Sequence, residues 1–430
     1  MNNEAYKFFY GISDEVLNMA QLAENSLHSV FSQIDYIKEY NQLKVISAMQ
    51  KNRLSDIHFA GTTGYGYDDI GRDVIDRIYA DVFECEAAFV RHSISTGTQA
   101  ISTALFGILR PGDEILSITG TPYDTLYEVI GIRKRSGSLA DFNISYRQVD
   151  LLEDGSFDYE EIKNSIQKNT KVVFIQRSPG YMWRKSISTD QIINISDYVK
   201  SLSKKAVIFV DNCYGEFTDM WEPSSKGADI IAGSLIKNPG GGISPSGGYI
   251  AGKEECIENS AHRHTAPGLG RKVGPSLGQN RLILQGLLLS PHVVSESLKG
   301  AAFCSAVMNL AGFETMPNSR DKRYDITQAV KFNKPEFLRA FCEGIQSGSV
   351  VDSHVTPEPW DMPGYDCPVI MAAGGFIQGS SIELSADGPM KHPYIGYLQG
   401  GMVYECTKTG VLCALEKMYK LDRNLVHRSL

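Results

Sequence analysis

A lysine, an aspartate, a tyrosine and a turn of small hydroxyl residues carry the chemistry this chain can offer. Lys237 lies in Ala232-Gly233-Ser234-Leu235-Ile236-Lys237-Asn238-Pro239-Gly240-Gly241-Gly242, just after the apolar run Asp229-Ile230-Ile231. A lysine delivered by a buried strand into a glycine-rich turn is out of place as a surface charge. Burial disfavours its ammonium form and leaves an amine able to form a Schiff base with a carbonyl cofactor. Asp211 ends the apolar run Val207-Ile208-Phe209-Val210. A carboxylate there can pair with a protonated ring nitrogen and turn a pyridine into an electron sink. The segment Ser93-Ile94-Ser95-Thr96-Gly97-Thr98-Gln99-Ala100-Ile101 leads into an apolar helix, Ala104–Leu109. Its turn offers backbone N–H groups and a helix dipole to a phosphate, with hydroxyls from Thr96 and Thr98 beside Gly97. Ser234, three residues before Lys237, adds another hydroxyl. Tyr123, in Gly120-Thr121-Pro122-Tyr123-Asp124-Thr125, follows the apolar segment Glu114–Ile118. Its ring could stack on a flat cofactor and its hydroxyl could serve as an acid.

Each of these has an ordinary alternative: an N-cap cluster, a strand-end salt bridge, a lysine in a flexible loop, a turn tyrosine. Their joint order decides between the readings. Phosphate turn, tyrosine, aspartate and lysine each follow a candidate strand or open a helix, and four independent coincidences do not produce that series readily.

The elements that must position them are visible as short apolar runs alternating with amphipathic stretches. Strands are expected at Glu114–Ile118, Ile144–Val149, Val172–Gln176, Val207–Val210, Asp229–Leu235 and Tyr249–Ala251. They are continuous runs rich in Val, Ile and Phe, as in strands covered on both faces. Helices are expected at about 71–83, 158–167 and 189–203. This pattern predicts a doubly wound α/β domain with a mostly parallel sheet, its ligand at the carboxyl ends of the strands. The first fifty residues carry a helical stripe (Val16, Met19, Ala20, Ala23, Leu27, Val30, Ile34, Ile37),. After about Val294 come helices at 295–311, 334–346 and 401–419 and strands at Val369–Ala373 and Ser381–Ser385, a smaller α+β domain. The expected division is a helical arm at 1–60, a large domain at 61–294 and a small domain at 295–430.

The bulk properties narrow the function. The chain has 430 residues and a net charge of −8, which argues against nucleic acid as the main partner. Its eight cysteines show no metal-ligand spacing and no disulfide pattern, so free thiols in a reducing cytoplasm are expected and no metal site is. The longest apolar stretch, Leu282–Val294, is interrupted by Gln285, Gly286, Pro291 and His292 and is too short to span a bilayer,. No secretory leader is apparent after Met1.

Several segments together resemble one family. They are Gly64-Tyr65-Gly66-Tyr67-Asp68-Asp69-Ile70-Gly71-Arg72, Thr96 to Ile101, Pro122 to Thr125, Val210-Asp211-Asn212-Cys213-Tyr214-Gly215-Glu216-Phe217, Gly233 to Gly241, and Ser381-Ile382-Glu383-Leu384-Ser385-Ala386-Asp387-Gly388-Pro389. Over nearly its whole length the chain is similar to fold-type I pyridoxal phosphate enzymes of cysteine and methionine metabolism. More narrowly, it resembles the methionine gamma-lyase-like proteins often labelled aluminium resistance proteins. The resemblance implies that Lys237 holds pyridoxal 5'-phosphate covalently and shuttles protons, and that Asp211 pairs with the ring nitrogen. It implies that Tyr123 stacks on the ring, and that Gly97, Thr98 and Ser234 hold the phosphate. Tyr65 or Tyr67 matches a tyrosine that reaches the phosphate of a neighbouring subunit, which implies a homodimer or homotetramer with shared active sites. The implied activity is carbon–sulfur elimination from a sulfur amino acid. Another pyridoxal phosphate reaction, such as transamination or β-elimination from a different amino acid, and a non-catalytic stress-response role stand as alternatives.

One departure matters. The broader group carries an arginine in an Arg-x-Ser context that clamps the substrate carboxylate. Here Glu383 stands in that place, in Ile382-Glu383-Leu384-Ser385. Arg177, in Gln176-Arg177-Ser178-Pro179, is the expected replacement, ahead of Arg184 and Lys391.

Overall fold

Seven strands make the principal sheet: β1 (Ala87–Arg91), β2 (Glu114–Ser117), β3 (Ser145–Gln148), β4 (Thr170–Gln176), β5 (Val207–Asp211), β6 (Ile230–Ser234) and β7 (Gly248–Gly252). Their spatial order is β1-β7-β6-β5-β4-β2-β3. The structure, a computed structural model, describes residues 2–362 and 367–425. Neighbours among β2 to β6 and β3 pair in parallel, and β7 runs antiparallel to both β6 and β1. The six strands expected from the apolar runs are all present, with ends shifted by one or two residues. β1 was not expected. Its segment, Ala87-Ala88-Phe89-Val90-Arg91, ends in a charged residue and lacks the longer β-branched run of its neighbours.

β5, β6 and β7 are buried at every residue, which is why they read as unbroken apolar runs. The helix Gly97–Ile108 lays Ala100, Ile101, Ala104, Leu105 and Ile108 into a core with Phe174, Phe209, Ile230, Ala232 and Ile250. Burying each of the larger side chains stabilises the fold by about 1.5–3 kcal/mol. Thr96 caps this helix, its hydroxyl accepting from the Gln99 amide at 3.0 Å, so the first turn is fixed where the sequence placed it. Parallel pairing also fixes which ends meet. Gln176 of β4 lies opposite Asp211 of β5, and Asp211 lies opposite Ala232 of β6.

The chain divides into two compact units, one of residues 40–180 and 186–289, the other of residues 1–39, 181–185 and 290–430. This differs from the expected arm at 1–60 and boundary at 294. The second unit's core joins Val16, Leu17, Met19, Ala20, Ala23 and Leu27 to Phe303, Val307, Phe341, Leu412 and Leu415. Ser13 donates through both its amide and hydroxyl to Glu416, at 2.9 and 2.7 Å. The apolar stripe of the N-terminal helices is therefore a core face. The boundary near 290 falls inside one helix, Asn280–Leu310, which continues through Pro291.

This second unit holds β8 (Glu314–Met316), β9 (Thr327–Lys331), β10 (Val369–Ala373), β11 (Ser385–Pro389) and β12 (Ile395–Gln399), an antiparallel sheet ordered β10-β11-β12-β9-β8. The expected strand at Ser381–Ser385 starts only at Ser385. Residues before it form a turn in which Ile382 and Glu383 carbonyls accept from the Gly401 and Met402 amides. Helices Pro335–Gly348 and Tyr404–Leu421 pack so closely that a Cβ on Gly344 would lie 2.1 Å from the Ala414 Cα.

Candidate active site

The carboxyl ends of β4, β5 and β6 and the start of helix Gly97–Ile108 converge within the first unit. Gly97 is the point of closest approach. A Cβ there would fall 3.1 Å from the Cys213 Sγ and 3.6 Å from the Ser234 Cβ, so a side chain at this position would press on the Cys213 sulfur. Thr98 and Thr125 share a hydroxyl hydrogen bond of 2.7 Å, which ties the phosphate turn to the turn bearing Tyr123. Tyr123 is half-buried and its ring rests on Gly180, whose Cβ would stand 3.2 Å from the Tyr123 Cδ2.

Asp211 is buried at the end of β5 and accepts from the Cys213 amide at 3.1 Å. Burial lifts its carboxyl above the ordinary range, against the opposing pull of the Lys237 ammonium and that amide,. Lys237 follows β6 by three residues and is partly buried. Its Nζ stands 4.0 Å from the centroid of the Tyr214 ring. Burial pulls the ammonium down, but the acidic groups of Cys213, Tyr214 and Asp211 around it outweigh burial and raise it. The lysine is thus held charged, where burial alone predicted a free amine. The neighbours, not the desolvation, decide its state.

Beneath this pair lies a polar network the sequence did not announce. The loop Asn212–Phe217 turns back under Lys237, with Tyr214 at φ +72° and Phe217 at φ +62°. The Asn238 amide Nδ2 donates to the Tyr214 and Glu216 carbonyls at 3.0 and 2.9 Å. The Phe217 amide donates to Glu222 Oε1 at 2.8 Å, and Asn212 donates to Glu222 Oε2 at 2.9 Å. Tyr249 donates to Glu216 Oε1 at 2.7 Å. Asn212, Tyr214, Glu216, Phe217 and Asn238 lie inside the motifs of the sequence and Glu222 and Tyr249 do not; only left-handed backbone and cross-strand reach bring them together, and neither is a property of local composition.

Glu216 is fully buried and burial pushes its carboxyl up to about 8 from an ordinary 4.5. The sign of its linkage follows. Between those values the folded chain keeps a proton that the unfolded chain has lost, so stability falls as pH rises through that window and levels off above it. The expected loss between about pH 5.5 and 8.5 is roughly 3 kcal/mol. Glu216→Gln keeps an acceptor for Tyr249 and carries no titrating group. Urea unfolding midpoints should therefore depend less on pH in this variant than in the wild type over that range.

Arg177 does not serve as a free substrate clamp. Its side chain has 0% exposure. Nη1 donates to Asn212 Oδ1 at 2.7 Å and to the Gly215 carbonyl at 2.9 Å, and lies 3.7 Å from Glu222. Nη2 reaches Thr189 Oγ1 at 3.3 Å. A strand-end arginine looks the same in sequence whether it faces solvent or turns inward, and this one turns inward. Glu383 is buried and accepts from the Phe376 and Ile377 amides at 2.7 and 2.8 Å. The glutamate that replaces the expected arginine is thus used to hold the 375–377 turn. Arg184 is half-buried, and desolvation draws its guanidinium down to about 10. Lys391 is exposed. Tyr65 and Tyr67 are 71% and 61% exposed and stack on one another with ring centroids 5.4 Å apart. Their loop is pinned by the Gly274 amide to the Tyr65 carbonyl and by Arg72 to the Gly66 and Gly274 carbonyls. The fold thus assembles Thr96, Gly97, Thr98, Asp211, Ser234 and Lys237 with Tyr123 alongside, and leaves the two loop tyrosines at the surface.

The donor set fits pyridoxal phosphate. The glycine-lined helix start, which any side chain would fill, suits the phosphate, and the buried carboxyl and the amine suit the ring nitrogen and the aldehyde. Among the described residues, no helix is long and apolar enough to cross a membrane and no cluster of His, Cys, Asp or Glu could hold a metal ion.

A doubly wound sheet with a lysine, an acid and a helix start at its carboxyl edge defines the pyridoxal phosphate fold-type I class. The pyridoxal 5'-phosphate dependent protein YhfS of Escherichia coli has this fold; the superposition has a TM-score of 0.61 at 16% identity and covers 90% of this chain and 97% of that one. Residues 16–419 match the methionine gamma-lyase family, and the chain belongs to it. A crystal structure from Clostridium novyi NT, described as a carbon-sulfur lyase involved in aluminum resistance, superposes with a TM-score of 0.94 at 50% identity over 97% of this chain and 99% of that one. The Bacillus subtilis protein YnbB is 50% identical over 401 residues, 93% of this chain and 95% of its own. The family is one of pyridoxal phosphate-dependent carbon–sulfur lyases.

Proposed function

We propose that the protein removes sulfur from a sulfur-containing amino acid, by elimination of the methionine gamma-lyase or cystathionine lyase kind, taking up one water and releasing a thiol, ammonia and an α-keto acid. The observation that carries this reading is the convergence of Lys237, Asp211 and the Gly97 helix start on one edge of one sheet. Pyridoxal phosphate, when bound, supplies an aldehyde for the lysine amine and a ring that accepts electron density from the substrate. Lys237 Nζ would hold the aldehyde at rest and, when its amine is free, would take the proton from the substrate α-carbon. Asp211 keeps the ring nitrogen protonated, since a buried carboxylate is costly without a positive partner. Thr96, Gly97, Thr98 and Ser234 hold the phosphate and so fix the ring's orientation. Tyr123 Oη donates a proton to the departing sulfur. The enzyme we propose is cytoplasmic and a homodimer or homotetramer, with Tyr65 or Tyr67 contributed to the phosphate of the adjoining subunit.

The glutamate at position 383 supports a second reading, amino transfer or elimination from a different amino acid, because the usual carboxylate clamp is absent from its place. One assay separates the two. The cofactor-loaded protein is incubated with L-methionine, L-cystathionine and L-cysteine, and α-keto acid and thiol or sulfide are measured. Release of both from one substrate is expected. Amino transfer to an added keto acid without thiol favours the second reading, and silence across the panel overturns the first.

A further inference from the structure

The structure assigns a role to Tyr214: it is the seat of the reactive lysine, holding the Lys237 ammonium over its ring and setting how readily that amine becomes free. Three observations carry this. The Nζ stands 4.0 Å from the ring centroid, inside the range in which an aromatic face attracts a cation. The backbone at Tyr214 has φ +72°, a left-handed conformation that disfavours a side chain and that glycine adopts without strain. A tyrosine there is kept at a cost to the backbone, and what its ring gains for that cost is the contact with Lys237. The conformation is also enforced from several sides. The Gly215 amide donates to the Asn212 carbonyl at 2.9 Å, Arg177 donates to the Gly215 carbonyl at 2.9 Å, and Asn238, the residue after the lysine, donates to the Tyr214 carbonyl at 3.0 Å. The same side chain of Asn238 therefore fixes lysine and seat in one frame.

The groups that face the lysine are Asp211 from the end of β5 and Cys213, Tyr214 and Glu216 from the loop beneath it. Asp211 is committed to the cofactor ring in the proposed reaction, Glu216 holds its proton at neutral pH, and burial raises the Cys213 thiol so that it too stays neutral. Tyr214 is then the neighbour that stays with the amine when the cofactor is bound. A lysine that exchanges partners during turnover needs a resting position that is attractive without being a full salt bridge, and a ring face meets that need.

This inference rests on Lys237 being the reactive amine of the proposed function, yet its test reads the amine without turnover. The full chain, freed of cofactor with hydroxylamine and dialysed, is pulsed with acetic anhydride at a series of pH values. Acetylation of Lys237 is followed by peptide mass spectrometry, with exposed Lys391 as internal reference. Tyr214→Gly relieves the left-handed backbone and should fold. Its Lys237 should be acetylated about tenfold faster than wild type near pH 8, a shift of about one pKa unit in the expected direction. Tyr214→Phe keeps the ring face but loses the hydroxyl, whose hydrogen bond to Lys237 also raises the ammonium, so its rate should fall between those of wild type and Tyr214→Gly. Wild-type labelling in Tyr214→Gly with an unchanged circular dichroism spectrum overturns the proposal. Should that variant lose its fold, Tyr214→Asn, which also tolerates the left-handed region, is read by the same two outcomes. A protein inactive on every amino acid but showing the tenfold difference keeps the seat and loses only the reaction.

Discussion

Lys237→Ala is expected to lose covalent retention of pyridoxal phosphate and to lower turnover of any accepted amino acid by about 10⁴-fold, the upper end of what one positioned proton-transfer group supplies. The groups beside it, Asp211, Cys213, Tyr214 and Glu216, are acidic, and an acid does not substitute for the amine. The fold should be little affected. Removing the lysine leaves Asp211 without its cation, but burial already lifts that carboxyl toward its neutral form, so the orphaned group takes up a proton instead of remaining a buried charge. The visible absorbance band of lysine-bound cofactor should vanish while circular dichroism is unchanged. A variant that keeps the band would place the amine elsewhere. One that loses the band but turns over substrate at a wild-type rate would remove Lys237 from the chemistry and leave it a binding role.

Local rules found the frame of this site. Continuous apolar runs announced β2 and β4 to β7 because a strand covered on both faces has no polar side to show, whereas β3, Ser145–Gln148, is an edge strand exposed at both ends. Small residues before an apolar helix announced the turn at Thr96–Thr98 because helix starts expose amides. The second unit was harder. β9, β11 and β12 carry Gln328, Asp387 and Gln399 among their apolar residues, and such strands are stabilised by cross-strand partners distant in sequence. Ser381–Leu384 looked like a strand because Ile382 and Leu384 alternate with polar residues. Both are buried, yet Glu383 is buried as well, drawn in by two backbone amides. The N-terminal helices were legible as helices but not as core, because an apolar stripe states that a face is covered and not by what.

The same limit governed charge. Lys237 was expected to be lowered by burial alone, and its acidic neighbours reverse that sign. Asp211 and Lys237 lie near one another because Asp211 ends β5 and Lys237 follows the end of β6 by three residues, and parallel pairing brings consecutive strand ends to one edge. Tyr214, Glu216 and Tyr249 were passed over because their relation to the lysine depends on two left-handed residues and on a hydroxyl crossing from β7.

Arg177→Ala should be the most destabilising single change in the first unit, by about 3–5 kcal/mol, the usual result of removing one partner from a buried ion pair. The guanidinium is the hub of the loop beneath the lysine. Without it the Asn212 Oδ1 and the Gly215 carbonyl lose their 2.7 and 2.9 Å donors, at about 1–3 kcal/mol for each group left unsatisfied. Glu222 loses the cation 3.7 Å away while remaining 1% exposed. Gly215 shows how closely the fit is made, since a Cβ there would lie 2.5 Å from Arg177 Nη1. Lysine cannot stand in, because a single ammonium does not present the planar fork that spans Asn212 and Thr189. The two readings of this arginine therefore predict opposite phenotypes. A clamp on the substrate carboxylate would give a stable variant with a raised KM and an unaltered cofactor spectrum. A loop hub gives a lower urea midpoint, weaker cofactor retention because the lysine seat shifts, and non-additivity with Glu222→Gln. The double variant should lose less than the sum of the two single losses, by about 1–3 kcal/mol, because the neutral amide no longer needs the charge that Arg177 supplied.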